Sequence, residues 1–439
     1  MRWTVADIAE AAQGTVVGDP DVAVDGLSID TRTLRPGQMF VAVRAERDGH
    51  DFVAAAAASG APAALVERAG RDAGGLALVV VGDTAEALLA VGRAARDRIP
   101  GPVVGITGSV GKTSTKDMAA AALAAGMPTE ASPRSWNNEL GVPLTLANAP
   151  VDTRAVVVEM GARGPGHIAL LCRTARPGIG VVTAVAAAHT EMFGDLEGVA
   201  RAKGELVEAL PASGTAVLNG DDHRVAAMAA RTSARVVNYS VEGRGEVVAE
   251  RIRIDDELRA SFTVRSPWGS AAVVLEARGA HQVGNALAAL SIAGVAGVDL
   301  AAAAAALRTA ALSPWRMEVA RTRSGATVVN DAYNANPASM AAALRSLASL
   351  PAGRRVAVVG EMAELGADGV DAHLRIADLA SSLGVALVAY RTPDYGIEPV
   401  TGIEAAVEAL GPLGPDVAVL VKGSRVAALE EVATRLADC

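Results

Sequence analysis

The chain has 439 residues, of which 51% are hydrophobic and only 3% aromatic, and it carries a formal net charge of −9. Single cores stop growing near roughly 250–300 residues, so several domains are expected, packed largely from Ala and Val. The acidic balance excludes a protein that wraps nucleic acid, and the two cysteines, Cys172 and Cys439, exclude a disulfide framework or a thiolate metal site.

In chain order, Asp7 and Glu10 interrupt the apolar core that a secretory signal would need. No later apolar run approaches the about 20 residues of a membrane span. A cytoplasmic chain without a membrane span, acting as a monomer, is expected. Residues 1–99 read as a small mixed α/β domain, with short strands near residues 28–30 and 39–43 and an Ala-rich helix from Phe52. From residue 100, Val-rich runs alternate with helical stretches, the pattern of a parallel α/β sheet: PVVGITG to Gly108, AVVVEMG to Gly161 and IGVVTAV to Val185. Residues 246–276 alternate apolar and polar around the turn signal SPWGS, which predicts an antiparallel extension, and a helix follows from about His281. A second alternation, ATVVND, RRVAVVGEM, GVALVAY and DVAVLVKGS, predicts a doubly wound, Rossmann-like C-terminal domain without the GxGxxG of a second dinucleotide site. The expected fold is α/β in three domains: 1–99, a central phosphate-loop domain over 100–314, and 315–439.

The segment GITGSVGKTSTK, residues 105–116, follows an apolar strand and opens a helix, the context that a phosphate loop requires. Gly108 and Gly111 let backbone amides approach phosphate, Lys112 carries the counter-charge, and Thr113 offers a hydroxyl to magnesium. Ile106 stands where the generic pattern has glycine, so only the core GSVGKTS fits. Glu159 ends a Val strand, which turns its carboxylate toward the same crevice. Taken alone, His189 reads as a structural histidine, and Lys203, beside Arg201 and Glu205, as a surface cation.

Further segments change that reading. SIDTRTLRPGQMFVAV with DGHDF (residues 28–52), SWNNELGVPLTL (135–146), HTEMFGDLEGVARAKGE (189–205), NDAYNANPASM (330–340), GEMAELG from Gly360 and VKGSR from Val421 together resemble the Mur ligase family over nearly the whole chain. By that resemblance Ser28, Asp30 and Arg32 belong to a uridine-nucleotide domain, and Asn137 and Asn138 to a central substrate loop. Glu159 and His189 become magnesium ligands beside Thr113. Lys203 becomes a lysine carried as its N-carboxylate, an anionic oxygen ligand where an ammonium would be repelled. The catalytic candidates are thus Lys112, His189 and Lys203. ATP would be held by Gly108, Ser109, Gly111, Lys112, Thr113 and Ser114, with Asn285 on adenine and Arg316 and Asp331 reaching from the C-terminal side. Asn334, Lys422 and Ser424 are candidates for the second substrate. Gln282 stands where the family pattern has asparagine, and the glycine usual before DGH is replaced near Ala45.

The resemblance implies ATP and Mg2+, and two small-molecule substrates, a UDP-N-acetylmuramoyl-tripeptide and D-alanyl-D-alanine, joined through an acyl phosphate in peptidoglycan precursor synthesis. Two alternatives stand beside it. One is a sister ligase adding another amino acid, and the other is a protein that uses ATP to switch a binding surface.

Overall fold

A computed structural model describes residues 1–69, 74–187 and 190–437. It contains three principal sheets. The first orders its strands Thr15–Val17, Ala77–Val80, Ala63–Val66, Met39–Val41 and Leu27–Ser28, all parallel except the first pair. The helix Thr84–Asp97, capped by Asp83 accepting from the amides of Ala85 and Glu86, then leads toward the central sheet. Its buried face, Ala87, Leu88, Val91 and Ala95, lies in one core with Val142, Leu144 and Leu146 of the central domain. That shared core seats the first domain on the second.

The central sheet has nine strands in the order Gly269–Arg278, Arg259–Ser266, Val247–Ile254, Arg235–Ser240, Thr215–Asn219, Ile179–Val182, Val103–Thr107, Ala155–Glu159 and Thr129–Ala131. Pairing is parallel from Thr129–Ala131 through Val247–Ile254 and antiparallel over the last two strands. The strands Val103–Thr107, Ala155–Glu159 and Ile179–Val182 are buried at every residue, which is why they read as unbroken apolar runs. Val103–Thr107 is the earliest of the three and lies between the later two, so the strand order reverses at its carboxyl end. In open α/β sheets ligands bind at that reversal.

The strand expected to reach Val185 stops at Val182. Beyond it the backbone turns onto the phosphate loop: Thr183 Oγ1 donates to the Val110 carbonyl at 2.6 Å, and the Ser109 amide donates to the Ala184 carbonyl at 2.8 Å.

The C-terminal sheet runs Glu318–Arg321, Thr327–Asn330, Val417–Lys422, Arg354–Val359 and Ala386–Ala389, antiparallel only at its first pair. Helices Pro337–Ser349 and Gly369–Ser382 cover one face, and Ile403–Ala409 and Glu430–Ala437 the other. The sheet is doubly wound. The tip of the central extension reaches into it, since Leu258, between Val247–Ile254 and Arg259–Ser266, is buried in the same core as Met317, Val329 and Met340.

Candidate active site

The strand Val103–Thr107 feeds the helix Lys112–Ala124 through the turn 108–111. Two glycines there have no substitute: Gly108 (φ +147°) faces Thr183 Oγ1 and Gly111 (φ +83°) faces the Asn285 amide oxygen, each so near that a Cβ would overlap it. The Lys112 ammonium donates to the Gly108 carbonyl at 2.7 Å and lies over the loop. Burial lowers its pKa; the Glu159 carboxylate opposes the shift and Arg316 reinforces it.

Thr113 and Glu159 meet across the crevice, the Thr113 hydroxyl donating to Glu159 Oε2 at 2.7 Å. The second carboxylate oxygen accepts from Asn137 Nδ2 at 2.8 Å. Glu159 is only 1% exposed, yet it lines the cleft. From the C-terminal domain, Arg316 Nη2 donates to Thr113 Oγ1 at 2.8 Å while its guanidinium stacks 4.2 Å from the Tyr333 ring centroid. The Tyr333 hydroxyl in turn contacts Ser135 Oγ on the loop that carries Asn137.

Lys203 lies on the helix Leu196–Glu208, 3% exposed, and also lines this cleft. Its pKa is pushed down to about 7, first by burial and then by the charge of Lys112. No hydrogen bond or ion pair joins its amine to another described residue. His189 lies outside the described residues.

The cleft has a volume of about 560 Å³ and both domains wall it. Ser109, Ser114, Asn138, Asn285, Asp331, Asn334 and Lys422 reach it alongside the residues above. Asp331 and Lys422 form one unit, an ion pair at 2.5 Å in which Lys422 also donates to the Asn334 carbonyl at 2.9 Å. Ser424 stands behind the wall, donating to the Ala335 carbonyl and accepting from the Ala363 amide. Ser28, Asp30 and Arg32 do not line this cleft; they form a local knot in the first domain, with Arg32 paired to the Asp30 carboxylate at 2.7 Å.

Two groups have a part in the site that the sequence did not assign. Gln282, the departure from the family pattern, is 1% exposed and accepts from Asn285 Nδ2 at 2.8 Å, while Asn285 Oδ1 accepts from the Thr115 hydroxyl at 3.2 Å. It therefore fixes which way the Asn285 amide points. The second group is the pair Tyr333 and Ser135, whose contact spans 198 positions and leaves no local signal.

Fold and cleft together define a three-domain, phosphate-loop nucleotide-binding protein. The chain matches the Mur ligase middle domain over residues 106–293, the Mur ligase glutamate ligase domain over 315–433, and a third model, "Mur ligase family, catalytic domain", over 23–100. It is 42% identical to the UDP-N-acetylmuramoyl-tripeptide--D-alanyl-D-alanine ligase of Mycobacterium tuberculosis (strain ATCC 25618 / H37Rv), with 88% of this chain and 82% of the relative covered. Identity is 35% with the enzyme of that name from Escherichia coli (strain K12), over 99% and 98% of the two chains. A crystal structure of MurF from Acinetobacter baumannii superposes with a TM-score of 0.89 at 29% identity, covering 100% of this chain and 99% of that one. A MurF ligase from Thermotoga maritima in complex with ADP gives 0.82 at 27% identity, over 94% and 97%. The chain belongs to the Mur ligase family.

Proposed function

We propose that this protein is the ATP-dependent ligase that joins D-alanyl-D-alanine to a UDP-N-acetylmuramoyl-tripeptide in peptidoglycan precursor synthesis, working in the cytoplasm as a monomer. The observation that carries the reading is the convergence of the phosphate loop, the strand-end acid Glu159 and the buried Lys203 with Arg316, Asp331 and Lys422 of the opposite domain in one cleft. A switch that only binds ATP has no use for that second wall. No helix among the described residues is long and apolar enough to cross a membrane.

A carboxylate is a poor acyl donor because oxide would have to leave, so it is first phosphorylated by ATP. The peptide carboxylate attacks the γ-phosphorus, ADP leaves, and the amine of the dipeptide then displaces phosphate from the acyl phosphate and loses a proton. Both partners of the first step are anions, and Lys112 and Arg316 offset their repulsion. Asn285, oriented by Gln282, holds the adenine. Asp331, paired with Lys422, reaches the nucleotide beside Arg316, while Lys422 and Asn334 orient the incoming dipeptide and Ser424 supports that wall from behind. Ser28, Asp30 and Arg32 hold the uridine nucleotide at a distance from the chemistry.

The donors suit Mg2+: Thr113 Oγ1 and both Glu159 oxygens are hard oxygen atoms facing the cleft, and His189 joins them in this reading. When bound, the ion supplies charge neutralisation along the phosphates. The neutral Lys203 amine attacks CO2, an N–C bond forms and one proton leaves; the resulting carbamate gives the site a further anionic oxygen.

Phosphate release by the purified protein with ATP and Mg2+ tests the function, the sugar-tripeptide and the dipeptide being added singly and together with product masses recorded. Release that needs both, with a UDP-linked pentapeptide mass, is expected. Release that ignores both would move the assignment to an ATP-driven switch, and release with a different amine to a sister ligase.

A further inference from the structure

One turn of the phosphate-loop helix carries a buried lysine with a partly buried partner that the chemistry above does not use. Lys116, 2% exposed, donates to the carbonyls of Ser132 (2.7 Å) and Arg134 (2.8 Å) and pairs with Asp117 Oδ1 at 2.8 Å. The two carbonyls take two of the ammonium protons, and the Asp117 carboxylate beside them balances the charge. The other oxygen of Asp117 accepts from the Ser313 amide at 2.7 Å, in the segment that joins the central and C-terminal domains.

Both attachments lead back to the cleft. The strand Thr129–Ala131 ends where the Ser132 amide makes its last bond, to Val157. Past that point Arg134 adopts φ +50°, which a non-glycine residue holds only when its surroundings fix it. The ammonium of Lys116 bonds the carbonyl of this residue, and the residues that follow, Ser135, Asn137 and Asn138, line the cleft. On the other side, three residues after Ser313, Arg316 reaches Thr113. Met118, Ala119, Ala122 and Leu123 on the same helix are buried and apolar, so a lysine at this depth is retained for the two carbonyls rather than for packing.

We propose that Lys116 and Asp117 are positioning residues for the ligase reaction: they hold the 132–138 loop, and through it the acceptor peptide, in register with the phosphate loop and the interdomain segment. This rests on the functional reading above for what the loop binds, but not for the loop's mechanical dependence on Lys116.

The test uses the full chain with Lys116→Met and with the double variant Lys116→Met/Asp117→Asn, which removes both charges yet still leaves the two carbonyls without a donor. In both, the KM for the sugar-tripeptide is expected to rise about tenfold or more, while the Kd of ADP by titration calorimetry changes less than about threefold. Amide hydrogen exchange in 132–139 should quicken while the helix 112–124 stays protected. The double variant should recover the thermal stability lost in the single one without recovering the acceptor KM. Recovery of both together would reduce the pair to a structural ion pair and overturn the proposal, as would loop exchange equal to that of the parent. Exchange and ADP binding are read without catalysis, so failure of the ligase assignment would show separately, as absence of dipeptide-dependent phosphate release by the parent protein.

Discussion

Lys203 has Val199 and Val207 one helical turn to either side, both buried. That periodicity was in the sequence, but the flanking Arg201 and Glu205 masked it, and only the family resemblance singled the lysine out. Its depth has a consequence that pH exposes. The folded pKa of about 7 lies below the ordinary lysine value of 10.5. Below pH 7 both folded and unfolded chains hold the proton, and the buried ammonium destabilises the fold in full. Between the two values the unfolded chain holds more protons, so stability rises with pH across that window. Lys203→Met removes the slope and is expected to be more stable than the parent at pH 6 by roughly 2–4 kcal/mol, with little difference toward pH 10. Urea midpoints at the two pH values read this directly. The same titration governs the carbamate: with 13C-labelled bicarbonate, a carbamate resonance should be present at pH 8 and fade as pH falls below 7. A resonance that is missing at pH 8, or that survives Lys203→Met, would sink the assignment.

Strands and helices follow the apolar pattern closely where both faces are buried. The runs at 103–107, 155–159 and 417–422 stand where Val-rich sequence announced them, because such runs have no polar face to misdirect the reading. What the pattern could not reveal is which element reaches into another domain. The extension read from residues 246–276 as an antiparallel meander is one, but its tip residue Leu258 is 1% exposed inside the C-terminal core. A single leucine in a turn carries no periodicity, and its φ of +66° is unusual for that residue. The backbone there is closed by the Leu258 amide donating to Asp255 at 2.9 Å and the Gly279 amide donating to Leu258 at 2.8 Å. Leu258→Ala keeps that backbone and empties the contact. It should cost roughly 2–4 kcal/mol and, since the tip ties two domains, split the calorimetric transition into two. A single transition at the parent's midpoint would show that the tip is a passive neighbour.

The cleft is walled by the central and C-terminal domains, and polar contacts at its lining hold it closed beside the buried Leu258 tip. Between the central and C-terminal domains Arg316 bonds Thr113 and Tyr333 touches Ser135, and at the junction before the C-terminal domain the Ser313 amide bonds Asp117. Arg316 of the C-terminal wall thereby occupies the Thr113 hydroxyl, a group that the nucleotide site must offer, so binding and release require the two walls to part. A closed site also excludes the water that would hydrolyse an acyl phosphate. Tyr333→Phe isolates one latch, because the ring still stacks on Arg316 and only the hydroxyl is lost. A compact chain of this length has a radius of gyration of about 22 Å. By small-angle scattering the free variant should exceed the free parent, and nucleotide with both substrates should draw the two to one value. Turnover should fall about tenfold, from a constellation assembled less often, while the KM for ATP stays near that of the parent. Water should also compete better in the variant, so phosphate release would outrun formation of the UDP-linked pentapeptide. Equal radii in the free proteins, with release and product still matched one to one, would mean that the Tyr333 hydroxyl has no part in closing the site.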